Sequence, residues 1–440
     1  MPKLPKFDFI KAWSMASGVV LIFGVGLVFG YFKWQPSPLI GFAVGVAKDL
    51  NQNVKAYFGD TPSQHLRPNR FGYGGVTVPH PDQVSLGVTF VTGLFGEKLG
   101  ARLYAKDGTL LKEWPIDFFE IAPDGMAYNF DALIHGDHLY ENGDFLANLD
   151  GRGLVRVSAC GDIVWQNREL NHHSIDIDDN GDIWTPINGS RYDEDRLYSA
   201  DFNFDRLGRF DAATGVTLEE IDLVDALMSA DLMGLALTNS VLTGDMMHLN
   251  DLEILSARMA SAFPMFKAGD ILLSSRHYNQ IWVLDRETKA IKWRYAGPMV
   301  GQHDPDFQLD GTITVFDNQT GSAIGRGAEE STADDVEINN PRNGSRILSV
   351  DPNNNSYRVV YASDERNDFY SPYRGKHQQL ENGNILITET DAGRVFEISP
   401  EGDIVWSFVN EWDEQSVGWV MQATRYPDSY ASIADISCTK

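Results

Sequence analysis

The chain has 440 residues, 43% of them hydrophobic, with a formal net charge of −26 and a pI near 4.6. That length and apolar content suffice for a large core and exclude a disordered chain, while the acidic field opposes phosphate and excludes nucleic acid as a partner. Only Cys160 and Cys438 are present, too few for a zinc cluster or a disulfide framework; one bridge stapling the C-terminal tail and two free thiols both fit them.

In chain order, residues 12–32, AWSMASGVVLIFGVGLVFGYF, carry no charge and reach the roughly 20 residues needed to cross a hydrocarbon core about 30 Å thick. Lys3, Lys6 and Lys11 precede this run, which predicts an N-terminus inside and an exported remainder. Tyr31, Phe32 and Trp34 around Lys33 form an interfacial belt, so the expectation is an uncleaved anchor rather than a signal peptide. Gly26 with Gly30, and Gly41 with Gly45 beyond Pro36 and Pro38, are spaced as GxxxG pairs. Glycine is common in membrane spans, the plainer reading; close approach by a helix of a membrane-protein partner is the other. LIGFAVGVAKDLNQNVKAYF then predicts an amphipathic helix near the membrane surface, and DTPSQHLRPNRFGYGG reads as linker. The expected divisions are 1–34 (cytoplasmic tip and anchor), 35–75 (amphipathic helix and linker) and 76–440 (one β domain).

Beyond Val76 the chain repeats itself. ACGDIVW and PEGDIVW each run from a glycine turn into a short strand that closes on Trp165 and Trp406, with DGTLLKEW (Trp114) and TKAIKW (Trp293) as looser copies. The tryptophans fall at multiples of about 60 residues, the length of a four-stranded blade with generous loops. TGVTLEEIDL and NNNSYRVVY fill the two gaps. The fold class expected is therefore all-β, a six-bladed β-propeller behind an N-terminal transmembrane helix.

A second repeat precedes each of these turns: ENGDFLANL, DNGDIWTPI, AGDILLSS, DGTITVFD and ENGNILITE, each a polar turn followed by a strand with apolar alternation. Histidines lead into these strands. His135, His173 and His303 stand at one common offset, with His377 and His248 in related segments. Any one of them has a bland reading, a histidine bonded to its own turn. Five converging on one channel exceed what packing needs and suit an anion or, less well, a metal, because no HxH or HxxxH pair is present.

Four segments in order, HHSIDIDDNGDIW, HLNDLEIL with GDILLSSRHYNQIWVLDRETKAIKWRYAG, QHDPDFQLDGTITVFDN, and ENGNILITETDAGRVFEISPEGDIVWSF, resemble the bacterial arylsulfate sulfotransferases. The resemblance covers nearly all of the chain after Val76. It implies a six-bladed propeller that moves a sulfuryl group from an aryl sulfate to a phenol through a transiently sulfated histidine, with no nucleotide donor and no cofactor. Carried over by motif, His303 of the QHD segment takes the nucleophile's place. His248 of MHLND, Arg276 of SSRH and His173 of NHHS take the places of residues that hold sulfate and assist proton transfer. His172 falls to a structural role, and His277, next to Arg276 on a strand, is expected on the opposite face. Asp304, next to His303, is read either as an orienter of that ring or, the plainer reading, as the cap of the turn beside Pro305. In a bacterium the anchor implies the inner membrane, with the propeller on the periplasmic side.

The residue types suit that chemistry. Sulfuryl transfer, like phosphoryl transfer, spreads charge over equatorial oxygens, so catalysis is mostly alignment by fixed donors. Arg276 offers a two-pronged fork, and a neutral imidazole is a nucleophile that needs no separate base. A rival reading is a non-catalytic, membrane-tethered propeller whose outer faces dock a partner. A third, a calcium-dependent hydrolase, requires carboxylates such as Asp176, Asp251 and Asp306 to converge on the channel. The acidic run AEESTADDVE reads as a solvated loop inserted in the fifth blade.

Overall fold

The computed structural model describes residues 21, 23–28, 31 and 65–438, apart from 97, 117–120, 122–133, 150–151, 170, 192–201, 233, 236–245 and 321–343. The chain divides into two compact units, Met1–Thr61 and Pro62–Lys440. In the first, residues 21, 23–28 and 31 are helical, and Leu21, Phe23 and Leu27 are exposed. Among the described residues no helix is long and apolar enough to cross a membrane. Most of the expected span 12–32, the expected amphipathic helix 39–58 and the acidic run from Ala328 lie outside the described residues.

The second unit is all-β and antiparallel, and it is propeller-like in the succession of its sheets. The first sheet holds Val88–Phe95, Lys98–Tyr104 and Leu110–Ile116, with the C-terminal strand Val420–Tyr426 paired to Val88–Phe95. The second runs Ile134–Leu139, Phe145–Leu149, Gly153–Val157, Ile163–Asn167, and the third Asp176–Ile177, Ile183–Arg191, Phe202–Phe210, Thr217–Asp222. The fourth is Leu249–Ile254, Ile271–Ser275, Gln280–Leu284, Ile291–Tyr295, and the fifth His303–Phe307, Ile313–Asp317, Arg346–Asp351, Ser356–Ala362. The sixth, Lys376–Gln379, Ile385–Glu389, Arg394–Ile398, Ile404–Val409, gains Gly75–Thr77 as an outer strand.

Burial explains the two repeats. The second strands of the second, fourth, fifth and sixth sheets are covered on both faces along their whole length, which requires near-continuous apolar sequence. The fourth strands of the first, second and fourth sheets lie outermost and only partly covered, with Trp114, Trp165 and Trp293 turned inward, while Trp406 is buried on a sixth-sheet strand that Gly75–Thr77 flanks. Core clusters occupy each junction between successive sheets, and one of them joins Val91, Phe95 and Tyr104 of the first sheet to Val395, Trp406 and Phe408 of the sixth. Glycine is mandatory at Gly311, which has φ +83° and would place a Cβ 2.5 Å from the Ala262 carbonyl.

One feature departs from the sequence reading, and another decides between alternatives that the reading left open. Residues 60–75, read as linker, contain the strand Leu66–Pro68, which pairs with Ser416–Gly418, and the start of Gly75–Thr77. Three-residue strands carry no periodicity; long-range partners hold them, as Arg70 shows in bonding both Asp368 and Glu389. The two cysteines are bonded to each other. This ties the turn at Cys160 to the chain end, just past the 3₁₀ helix Asp428–Asp435, whose Ile433 packs into the core shared by the first two sheets.

Candidate active site

The first strands of the sheets begin where the histidines stand. His303 opens the first strand of the fifth sheet, and the ladder slips by one residue immediately after it, at Asp304, whose φ is +53°. Such a bulge re-aims the side chains on either side of it. Matching slips occur at His135 and at Asn250. The Asn250 amide then donates to the Gln302 carbonyl at 2.7 Å, tying the fourth sheet to the residue before His303.

His303 is buried, with 7% of its surface accessible. Its Nδ1 lies 2.8 Å from the Asn318 Oδ1 and 3.0 Å from the Gly301 carbonyl. The Asn318 amide nitrogen donates to the carbonyls of Ser371 and Arg374, at 2.8 and 2.6 Å, which turns its oxygen toward the imidazole. Both neighbours of Nδ1 are acceptors, so Nδ1 carries the proton and Nε2 the lone pair. The backbone N–H of Arg374 donates to that Nε2 at 3.2 Å. Burial first, and then the Arg276 charge, hold the His303 pKa well below the usual imidazole value, so the ring is neutral near pH 7.

Further imidazoles surround this one. His135 stacks on His173 with centroids 4.0 Å apart, His173 meets His248 edge-on at 5.0 Å, and His248 lies 4.7 Å from His277. Burial and then the proximity of His135, His172, His248 and His303 push the His173 pKa well down. His172 places its Nδ1 2.8 Å from that of His173 and its Nε2 3.3 Å from Asp205, and Asp205 in turn accepts from the Leu249 N–H at 2.7 Å. It therefore holds His173 against the fourth sheet. Arg276 carries its guanidinium 5.5 Å from the Tyr373 ring, and its backbone N–H donates to the His248 carbonyl at 3.0 Å. Gly301, at φ +67°, keeps this space open, because a Cβ there would meet Thr320 at 2.6 Å and approach the Arg276 Nε.

The structure thus brings His173, His248, Arg276 and His303 together, with His135 beside them. Three expectations change. His277 joins the cluster instead of facing away: Arg276 and His277 lie in the turn after Ile271–Ser275, where strand alternation no longer applies. His377 leaves the cluster, its Nδ1 donating to Asp304 at 2.8 Å. Asp304 does not cap a turn but pairs with His377 and, at 2.8 Å, with the Lys376 ammonium. Tyr373 and the Arg374 N–H carried no motif signal, and Asn318 closes the QHDPDFQLDGTITVFDN segment without having been singled out; proximity reveals all three.

Asp304 also opens onto an acidic interior. Lys376 bridges it to Asp251 at 2.7 Å, and Asp176, Glu253 and Asp306 lie close enough to perturb one another. Burial pushes Asp176 up to about 7 and Asp251 to about 6, and raises Glu253 and Asp306 well above the usual range. Asp304 alone is lowered, by Lys376 and His377 acting against burial. The carboxylates of the third sequence reading do converge, but around a resident ammonium.

A sequence model of the arylsulfotransferase (ASST) family matches residues 138–411, a span that includes His173, His248, Arg276 and His303. The chain belongs to the arylsulfotransferase family. Membership points to a sulfotransferase-like enzyme with aryl sulfate and phenol as substrates. No curated protein matches the chain significantly. Among solved structures, a protein of unknown function from Bacteroides caccae is similar at 11% identity, covering 77% of this chain and 98% of its own with a TM-score of 0.46. TolB from Acinetobacter baumannii is similar at 10% identity, 77% and 66% coverage and a TM-score of 0.43. The Dos1 propeller follows at 10% identity, 79% and 76% coverage and a TM-score of 0.37. Likenesses this distant carry no argument about activity.

Proposed function

We propose that this arylsulfotransferase-family chain is a six-bladed propeller that transfers a sulfuryl group from an aryl sulfate ester to a phenol through the Nε2 of His303. The observation that carries the reading is the His303 environment: Nδ1 bonded to Asn318 and Gly301, Nε2 holding the lone pair, and a ring kept neutral by burial and Arg276. Nε2 forms a bond to sulfur as the bond from sulfur to the aryl oxygen breaks and the phenolate leaves with the electron pair. The sulfated ring gains positive character, which the Asn318 oxygen on Nδ1 stabilises. Arg276 serves as donor to the sulfuryl oxygens, joined by the Arg374 N–H once it leaves the Nε2 lone pair that the new N–S bond takes up. The acceptor oxygen then attacks sulfur, the N–S bond breaks with its electron pair returning to Nε2, and the acceptor's proton passes by way of His248 or His173 to solvent, which supplied the proton that the first phenolate took up.

The same reading places the propeller domain 76–440 on the periplasmic side of the inner membrane, behind an anchor at residues 12–32 and a surface helix and linker within 35–75. The three lysines ahead of the apolar run support it, as does the exposure of helical Leu21, Phe23 and Leu27. The test is nitrophenol release from nitrophenyl sulfate by the full chain, with and without added phenol. The expected result is phenol-dependent turnover and an acid-labile sulfated enzyme by mass spectrometry, both abolished in a folded His303→Asn variant. Transfer by that variant at an undiminished rate refutes the nucleophile. Failure with every aryl sulfate moves the assignment to the non-catalytic, membrane-tethered module.

A further inference from the structure

The interior acidic group gathers five carboxyl groups around one ammonium. Asp176, Asp251, Glu253, Asp304 and Asp306 face one ammonium, Lys376, which is committed to Asp251 and Asp304. Asp176 and Glu253 each also accept a backbone N–H, from Ile254 and Phe307. Asp306 is left facing His377.

His377 is the second observation. Its side chain is 1% accessible, and its Nδ1 lies 2.8 Å from Asp304 Oδ2. Its Nε2 is buried without a hydrogen-bond partner and points at the Asp306 Oδ2, 3.6 Å away. A buried imidazole nitrogen and a carboxyl oxygen that face each other with no hydrogen bond between them leave a gap that a cation can fill. A separation of 3.6 Å is too long for one shared proton. It does match the spacing of two atoms bound to one ion, because tetrahedral bonds of about 2.1 Å put ligand atoms about 3.4 Å apart. An oxygen of Asp304 completes a set of three ligand atoms lying within 4.8 Å of one another. Asp306 is 28% accessible on its open side, which leaves room for water ligands and a path of entry.

We propose that Asp304, Asp306 and His377 bind one divalent cation of the kind that accepts mixed imidazole and carboxylate ligands, zinc or manganese. The ion fixes the left-handed bulge at Asp304, the residue next to His303. It is a structural site, separate from the imidazole cluster, and it does not depend on the transfer reaction.

The test uses the full chain, stripped with a chelator and titrated separately with Zn²⁺ and Mn²⁺, with bound metal measured by elemental analysis and the melting temperature followed. One equivalent of at least one metal is expected to bind and raise the melting temperature, and Asp306→Asn and His377→Ala are each expected to weaken binding at least about tenfold. Asp306→Asn keeps the size of a side chain that is 28% accessible, so the metal-free variant should melt no lower than the metal-free parent, which keeps folding from confounding the result. Absence of uptake for both metals overturns the proposal. Undiminished uptake in both variants, or uptake lost only in His248→Ala, overturns it as well, because the ion then belongs to the imidazoles.

Discussion

Asp137 offers a direct measure of how strongly the interior penalises charge. It lies on Ile134–Leu139, 3% accessible, with Oδ2 accepting from the Thr92 hydroxyl and Oδ1 without a partner. Burial pushes its carboxyl from 3.8 up to about 7, against the weaker opposing effects of Thr92 and Lys376. Below the unfolded value of 3.8 the group is neutral in both states and costs nothing. As pH rises from there to about 7, the unfolded chain ionises while the folded one keeps its proton, and stability is lost progressively. A difference of about 3 units at 1.36 kcal/mol each makes the full penalty about 4 kcal/mol above that window. Asp137→Asn removes the titration while keeping the shape and the Thr92 bond. The variant should be more stable than the parent by up to about 4 kcal/mol at about pH 8, less about 1 kcal/mol for an amide N–H₂ left poorly bonded. At about pH 4 that advantage should vanish. Urea unfolding followed by tryptophan fluorescence at a series of pH values reads this directly. A stability difference independent of pH, or a variant less stable at the alkaline end, refutes the reasoning.

Other outcomes follow from the site. Arg276→Ala should lower kcat/KM by about 10²–10³-fold; because the Arg276 charge helps depress the His303 pKa, the acid limb of the pH profile should also move toward neutrality. An unmoved limb would separate Arg276 from His303. Asn318→Leu strips the acceptor from His303 Nδ1 and the donor from the Ser371 and Arg374 carbonyls, so it should destabilise the fold by about 2–4 kcal/mol and slow transfer. A Tm loss with unchanged kcat would confine Asn318 to structure. Cys160→Ser opens a covalent loop of 278 residues. It should lower stability by about 2–5 kcal/mol, an effect that reductant reproduces in the parent and leaves unchanged in the variant.

Much of this architecture is written in local sequence because the unit is repeated. A turn with glycine and a strand closing on tryptophan need no distant information, and their recurrence announces successive antiparallel sheets. The QHD and MHLND motifs are local too, and His303 and His248 converge because the same position at the head of successive first strands faces the same place; Arg276 of SSRH joins them from the turn after Ile271–Ser275. What the sequence could not decide depends on contacts between sheets. His277 follows a strand whose alternation ends one residue too early for the pattern to hold. Asp304 sits in a one-residue bulge whose left-handed backbone sends it to Lys376 and His377, more than seventy positions later in the chain. Asn318 orients His303 only because the ladder sets His303 opposite Phe316, two residues before it. Apolar periodicity and turn chemistry are properties of neighbours in the chain and can be read there. Protonation states and ion pairs arise from burial and from groups on other sheets, so only the folded structure determined them.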